Sequence, residues 1–344
     1  MKLGRGTNHA GFISAYAFAH FAMDAACSFL LIGVLDLGGH IVISLVIYNA
    51  CAFVLQAPFG YLIDKTLNPK MAAILGLTLA AVSFVFWNNV LVALLVAGTG
   101  NALFHVGGGS LTLSIKNKTE TMIGIFVAPG GIGLAFGAFW ATSQKNLMLF
   151  PLALILLAFL LYFIQTPVFE RKQAVRGTSY FRLLIAVIIL IPIAVRSLTG
   201  LSVEFPWKEN QPLFVLLVSS IAVGKAFGGI LADRFGLLKV GLGGFFLAAP
   251  LLAFFASIPA LGIMGALLLN LTMPVTLIAI VKLMPYQKGL SFGLTTSALF
   301  IGALPIIIGK DGWVKSEGIL FLFIFAASLL LSVSFYLSNK YMKG

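Results

Sequence analysis

GYLIDKTLNPK at positions 60–70 and GGILADRFGLLKV at 228–240 are two versions of one loop. Setting Gly60 on Gly229 and Asp64 on Asp233 fixes an offset of 169 residues. The same offset, without a gap, sets Asn101 on Asn270, Gly124 on Gly293 and Gly133 on Gly302. Matches in separate regions at one spacing are the signature of an internal repeat, so the chain reads as two related halves.

What surrounds the two loops is apolar. Of the 344 residues, 60% are hydrophobic and only 9% charged, and the mean hydropathy is +1.07. A soluble domain carries about 25% charged residues. A chain facing lipid must satisfy its backbone internally, as helices or as a closed barrel. The apolar runs are about 20 residues long, which selects helices. The first run follows a short basic start (Lys2, Arg5) but is too long for a signal peptide and lacks a small-residue cleavage site. Cys27 and Cys51 fall inside apolar runs and read as packing residues.

Twelve spans are expected, at 10–34, 41–63, 70–87, 90–114, 121–142, 147–166, 181–202, 211–232, 237–256, 259–282, 288–309 and 318–338. Merging the third with the fourth and the ninth with the tenth would give ten. Charge favours twelve. With both termini cytoplasmic, 16 of the 22 Lys and Arg lie inside and only Lys145, Lys208, Lys310 and Lys315 outside. The net charge of +12 is thus a topology signal, with no nucleic-acid partner expected. The expected organisation is a six-helix bundle over 1–166, a basic cytoplasmic linker over 167–180 and a second six-helix bundle over 181–344. The expected location is the plasma membrane.

The two loops resemble the signature G-x-L-x-D-R-x-G-R-[RK] of the major facilitator superfamily, whose members contain parallel six-helix repeats. The C-terminal copy is the better match; in the N-terminal copy Lys65 replaces Arg and Pro69 interrupts the tail. The resemblance implies a cytoplasmic gate made by Gly60, Asp64 and Lys65 with Gly229, Asp233 and Arg234. It also implies transport by alternating access, and a monomer that works alone. APGGIG at 128–133 lies where many exporters of the superfamily carry a Gly-Pro-rich fifth helix, though small residues also simply let helices pack. AHFAMDAACSFLLIG (19–33), QAPFGYLIDK (56–65), GTGNALFHVGGGS (98–110) and VAPGGIG (127–133) are similar to stretches of the fosmidomycin-resistance exporters, proton-linked members that export an anionic phosphonate. Those proteins have Phe-His-Pro-Glu in the fourth helix, whereas here Phe104-His105 is followed by Val106-Gly107.

Ionisable groups at membrane depth cost roughly 2.5–3.5 kcal/mol each and mark function or a partner. Asp24 is the one acid deep in a span, with His20 one turn earlier on the same face. The pair can exchange a proton near neutral pH or simply tie the first helix to a neighbour. Asn101 and His105 share a face of the fourth helix. Arg196 cannot shed its proton, so it needs an anion, which can be Asp24 or a substrate, or it snorkels to the headgroups. Lys225 and its repeat counterpart Gln56 complete the set, Lys225 as a second anion contact or as a partner of Asp233. In the superfamily the first, fourth, seventh and tenth helices line the cavity. By that resemblance His20, Asp24, Asn101, His105, Arg196 and Asn270 face it.

The cations outnumber the acid, so a small anionic or zwitterionic substrate is expected. The first reading is a proton-coupled transporter of a small organic anion or drug. A proton-independent facilitator or exchanger is the alternative, and a membrane-embedded enzyme or lipid-handling protein is a third. No P-loop, paired metal-spaced cysteines or His-Glu-x-x-His occurs. No catalytic residue, cofactor or resident metal is expected.

Overall fold

The computed structural model describes residues 9–143, 146–171 and 180–341; the termini, Lys145 and most of the expected linker lie outside the described residues. Twelve apolar helices account for nearly all of it. In the first repeat they are α1 (His9–Val34), α2 (Gly38–Lys65), α3 (Pro69–Phe86), α4 (Val90–Thr112), α5 (Thr119–Ser143) and α6 (Leu149–Phe163). In the second they are α7 (Tyr180–Ser202), α8 (Gln211–Phe235), α9 (Leu237–Phe254), α10 (Pro259–Leu283), α11 (Lys288–Ile307) and α12 (Glu317–Tyr341). All but α6 are long and apolar enough to cross a membrane. At 1.5 Å per residue α6 spans about 22 Å, short of a ~30 Å hydrocarbon core.

Turns separate the spans that a reader of the sequence might merge. Asn89 caps α4, its side-chain oxygen accepting from Val92 N at 3.2 Å. Pro69 is not an interruption. It occupies the first turn of α3, where its missing N–H leaves no bond unmade, and Asn68 caps that helix. The second copy makes the turn with Gly236 at φ 88°.

α2 is not one regular helix. Residues Ala50–Val54 form a π-helical turn, which frees a backbone carbonyl. Thr296 of α11 donates its hydroxyl to the Phe53 carbonyl at 3.0 Å, so the irregular turn is satisfied from the other half.

Lipid supplies no hydrophobic force between helices, so close packing of small residues must hold the halves together. A Cβ at Gly60 of α2 would overlap the Gly289 carbonyl of α11, and one at Gly229 of α8 would overlap the Glu120 carbonyl at the start of α5. Gly293 and Gly124 repeat this one turn along, against the Gln56 and Lys225 carbonyls. Each pair is related by the same offset of 169, so α2–α11 and α5–α8 are one interface made twice.

The end of the bundle carrying these contacts is closed. Asp64 accepts from the backbone N–H groups of Gly289 (2.9 Å) and Leu290 (2.8 Å) at the start of α11. Asp233 accepts from the N–H of Thr121 at the start of α5 (2.8 Å) and from its hydroxyl. Both carboxylates face the positive end of a helix dipole across the halves. Lys282 pairs with Glu120 at 3.0 Å on the same end. Lys65 and Arg234 take no part in these links: both are exposed, lying over the rings of Tyr61 and Phe235. Arg171 instead holds the end of α2, donating to the carbonyls of Ile63, Thr66 and Leu67.

Candidate functional site

Halfway along α1, His20 and Asp24 meet His105 of α4. His20 Nε2 is 3.3 Å from Asp24 Oδ2, and His105 Nε2 is 3.5 Å from Asp24 Oδ1. The two histidine Nε2 atoms are 2.8 Å apart. Asn101 donates Nδ2 to Asp24 Oδ1 and to Tyr48 Oη, each at 3.3 Å, and lies 3.8 Å from Cys27 Sγ. All four of the expected residues are buried, at 5–8% exposure. Tyr48 and Cys27 join them without a signal in the sequence.

The protons follow from the acceptors. His20 Nδ1 is 2.7 Å from the Phe126 carbonyl, and His105 Nδ1 is 2.8 Å from the Asn101 carbonyl. A carbonyl only accepts, so both Nδ1 atoms carry hydrogen. That leaves the two Nε2 atoms, 2.8 Å apart, as the ring positions that face the Asp24 carboxylate.

His20, Asp24 and His105 also form a donor set that a transition metal accepts. Two imidazole nitrogens on one tetrahedral zinc stand about 3.3 Å apart. Here the two Nε2 atoms stand 2.8 Å apart.

The second half supplies cations. Arg196 of α7 is 6% exposed, and its Nη1 has no hydrogen-bond partner. No ion pair joins it to an acid among the described residues, so the pair considered with Asp24 is not formed. The carboxylate is already taken by two imidazoles and an amide. Burial inside the bundle also rules out snorkelling. Lys225 of α8 has neither a hydrogen bond nor an ion pair among the described residues, and so does not reach Asp233.

The Pro129-Gly130-Gly131 segment of α5 lies between the two groups of charges. A Cβ at Gly130 would collide with His20 Nε2 and Asp24 Oδ2, whereas a Cβ at Gly131 would be 3.7 Å from Lys225 Nζ. Glycine at 130 lets His20 and Asp24 pack directly against this helix, while Lys225 of the other half stands at ordinary contact distance from position 131. Asn270 and Gln56 stay apart from the cluster. Each amide donates to the carbonyl one turn back, Asn270 to Ala266 and Gln56 to Ala52, and Gln56 Oε1 is left without a partner.

No protein-family model matches the chain, and no curated protein sequence matches it. Solved structures do. The E. coli fucose:proton symporter superposes with a TM-score of 0.68 at 14% identity, over 95% of this chain and 97% of that one. The chain has the major facilitator fold. A structure of FucP in the outward conformation gives 0.68 at 13% identity, covering 95% and 97%. The human organic anion transporter TETRAN gives 0.68 at 14%, over 96% and 99%. At such identities the likeness speaks to the major facilitator fold alone. The crossed aspartate links and the doubled glycine interface above are how this chain builds that fold.

Proposed function

We propose that the chain is a proton-coupled secondary transporter of a small organic anion, working by alternating access across the plasma membrane. The observation that carries this is Arg196, a buried guanidinium with an unpartnered nitrogen and no acid beside it. An uncompensated buried charge costs several kcal/mol, so a site that keeps one is built for a visiting anion. Lys225 adds a second positive group, and the His20–Asp24–His105 cluster faces it across Gly130 and Gly131.

In this reading the closed end, which carries the basic loops, is the cytoplasmic one. In this reading Asp64 and Asp233 hold the cytoplasmic gate shut. An incoming anion neutralises Arg196 and Lys225, and the coupled proton is exchanged at the His20–Asp24–His105 cluster on the other side of Gly130. The protein works as a monomer, with protons and the anion as its ligands.

The test is proton release or uptake by purified protein in weak buffer as organic anions, phosphonates and cationic drugs are added, with Asp24→Asn alongside. A ligand-triggered proton signal that vanishes in the variant supports the reading. Anion binding without a proton signal would instead establish a proton-independent facilitator, with Asp24 structural. Response to cations alone would remove the anion site.

A further inference from the structure

Between α5 and α8 lies a groove of about 690 Å³. Its walls are apolar: Ile132, Phe136 and Phe139 from α5 face Phe214, Val215 and Val218 from α8. Lys208, Glu209 and Gln211 border its mouth.

Beyond the inner end of this groove, α8 carries Lys225. Gln211, Phe214, Val218, Ile221 and Lys225 recur at three- and four-residue steps, so they share one face of α8. Gly131 of α5 marks where they converge: its Cβ position is 4.0 Å from Ile221 Cγ2 and 3.7 Å from Lys225 Nζ. From Gln211 to Lys225 the face rises about 21 Å. A crevice meant only for bilayer lipid would be apolar down to its floor. This one runs along α8 towards the ammonium group of Lys225, beside Gly131.

We infer that the substrate is an amphiphilic anion. Its charged head binds at Lys225 and Arg196, and its apolar tail lies along the α5–α8 groove between Phe136, Phe139, Phe214 and Val218. This rests on the anion site of the preceding section and adds the chemical class of the ligand. A tail also needs a way in, and the groove is open along its outer half, where Phe139 is 56% and Val215 59% exposed.

The deciding experiment is equilibrium binding of straight-chain alkylphosphonates, methyl to octyl, to the full-length protein in lipid nanodiscs. Burying a methylene is worth a factor of about four in affinity. The dissociation constant should therefore fall by about that factor per methylene until the groove is filled. Val218→Trp fills the groove and should flatten the dependence on chain length. Phe139→Ser, at an exposed position that does not endanger folding, should reduce its slope. Arg196→Gln should weaken every member while keeping the slope.

A flat series with methylphosphonate still bound would overturn the tail groove and leave the anion site standing. A slope that survives both Val218→Trp and Phe139→Ser would assign the length effect to partitioning into the bilayer, and so overturn it as well. Absence of binding by every member would overturn the anion site and the groove together.

Discussion

The two halves share a frame and divide the chemistry. Gly60 and Gly229, Asp64 and Asp233, and Gly124 and Gly293 occupy matching places and make matching contacts. The offset of 169 then carries His20 onto Ile189, Asp24 onto Ile193 and His105 onto Pro274, all buried. In the other direction, Cys27 becomes Arg196 and Gln56 becomes Lys225. The repeat duplicates the parts that pack and pivot. Charge is distributed unequally: the first half carries Asp24 with two imidazoles beside it, the second Arg196 and Lys225. Two copies of either set would repel across the middle.

The largest effect that can break this comparison is removal of one of the paired imidazoles. His105→Gln leaves His20 without an Nε2 partner ring, and the proton signal triggered by ligand should drop to background in the weakly buffered assay. Ile189→Val, at the repeat position of His20, should leave that signal intact. Loss of the signal in both variants would mean that the asymmetry is structural and not chemical.

A smaller but large effect belongs to the cations. Hydrogen bonds to charged groups are worth about 1.5–3 kcal/mol, or roughly 10- to 150-fold in affinity. Lys225→Gln should weaken organic-anion binding by that factor in a calorimetric titration. Gln56→Lys, added to it, should not restore binding, because position 56 lies on the opposite interface, under Gly293. Rescue by the double variant would make the halves interchangeable and sharpen the repeat at the expense of the divided site.

How far the sequence announces all this depends on range. The ends of the helices lie within three residues of the expected spans, because apolar length and turn residues are local. The repeat is visible because glycine and aspartate at the gate admit no substitute at those contacts. The joining of His105 to His20 is invisible, because 85 residues separate them and only helix packing sets them 2.8 Å apart. The pairing of Asp24 with Arg196 looks reasonable by charge alone and fails because closer donors surround the carboxylate. The π-helical turn at Ala50–Val54 leaves no compositional mark, since its partner Thr296 lies in the other half.

The gate tests the shared frame. Overpacking a close contact costs about 1–3 kcal/mol. Gly60→Val and Gly229→Val should each shift the protein from the closed gate by about that amount. Distances between spin labels placed at the starts of α5 and α11 would report it. Equal shifts support one interface built twice. The aspartates should differ more. Asp64 is 7% exposed and holds two backbone N–H groups, whereas Asp233 is exposed and holds one N–H and one hydroxyl. Asp64→Asn should therefore open the gate further than Asp233→Asn, and the reverse order would show that the second half governs closure.

The smallest effect lies at the open end, where charge pairs belong to one half only. Lys315 pairs with Glu204 at 2.9 Å and with Asp311 at 3.6 Å, and these partners raise the pKa of its ammonium above 10.5. A raised pKa contributes stability that is complete below the unfolded value and is lost only as pH climbs through the folded one. Between pH 6 and pH 9 the contribution is therefore constant, and water screens it because Lys315 is exposed. Lys315→Ala should leave the melting temperature in nanodiscs unchanged across that range. A clear loss would show that the loop joining α7 to α8 is anchored to α12 by this pair. The contrast between an end cross-linked by Asp64 and Asp233 and an opposite end without such links among the described residues would then have to be redrawn.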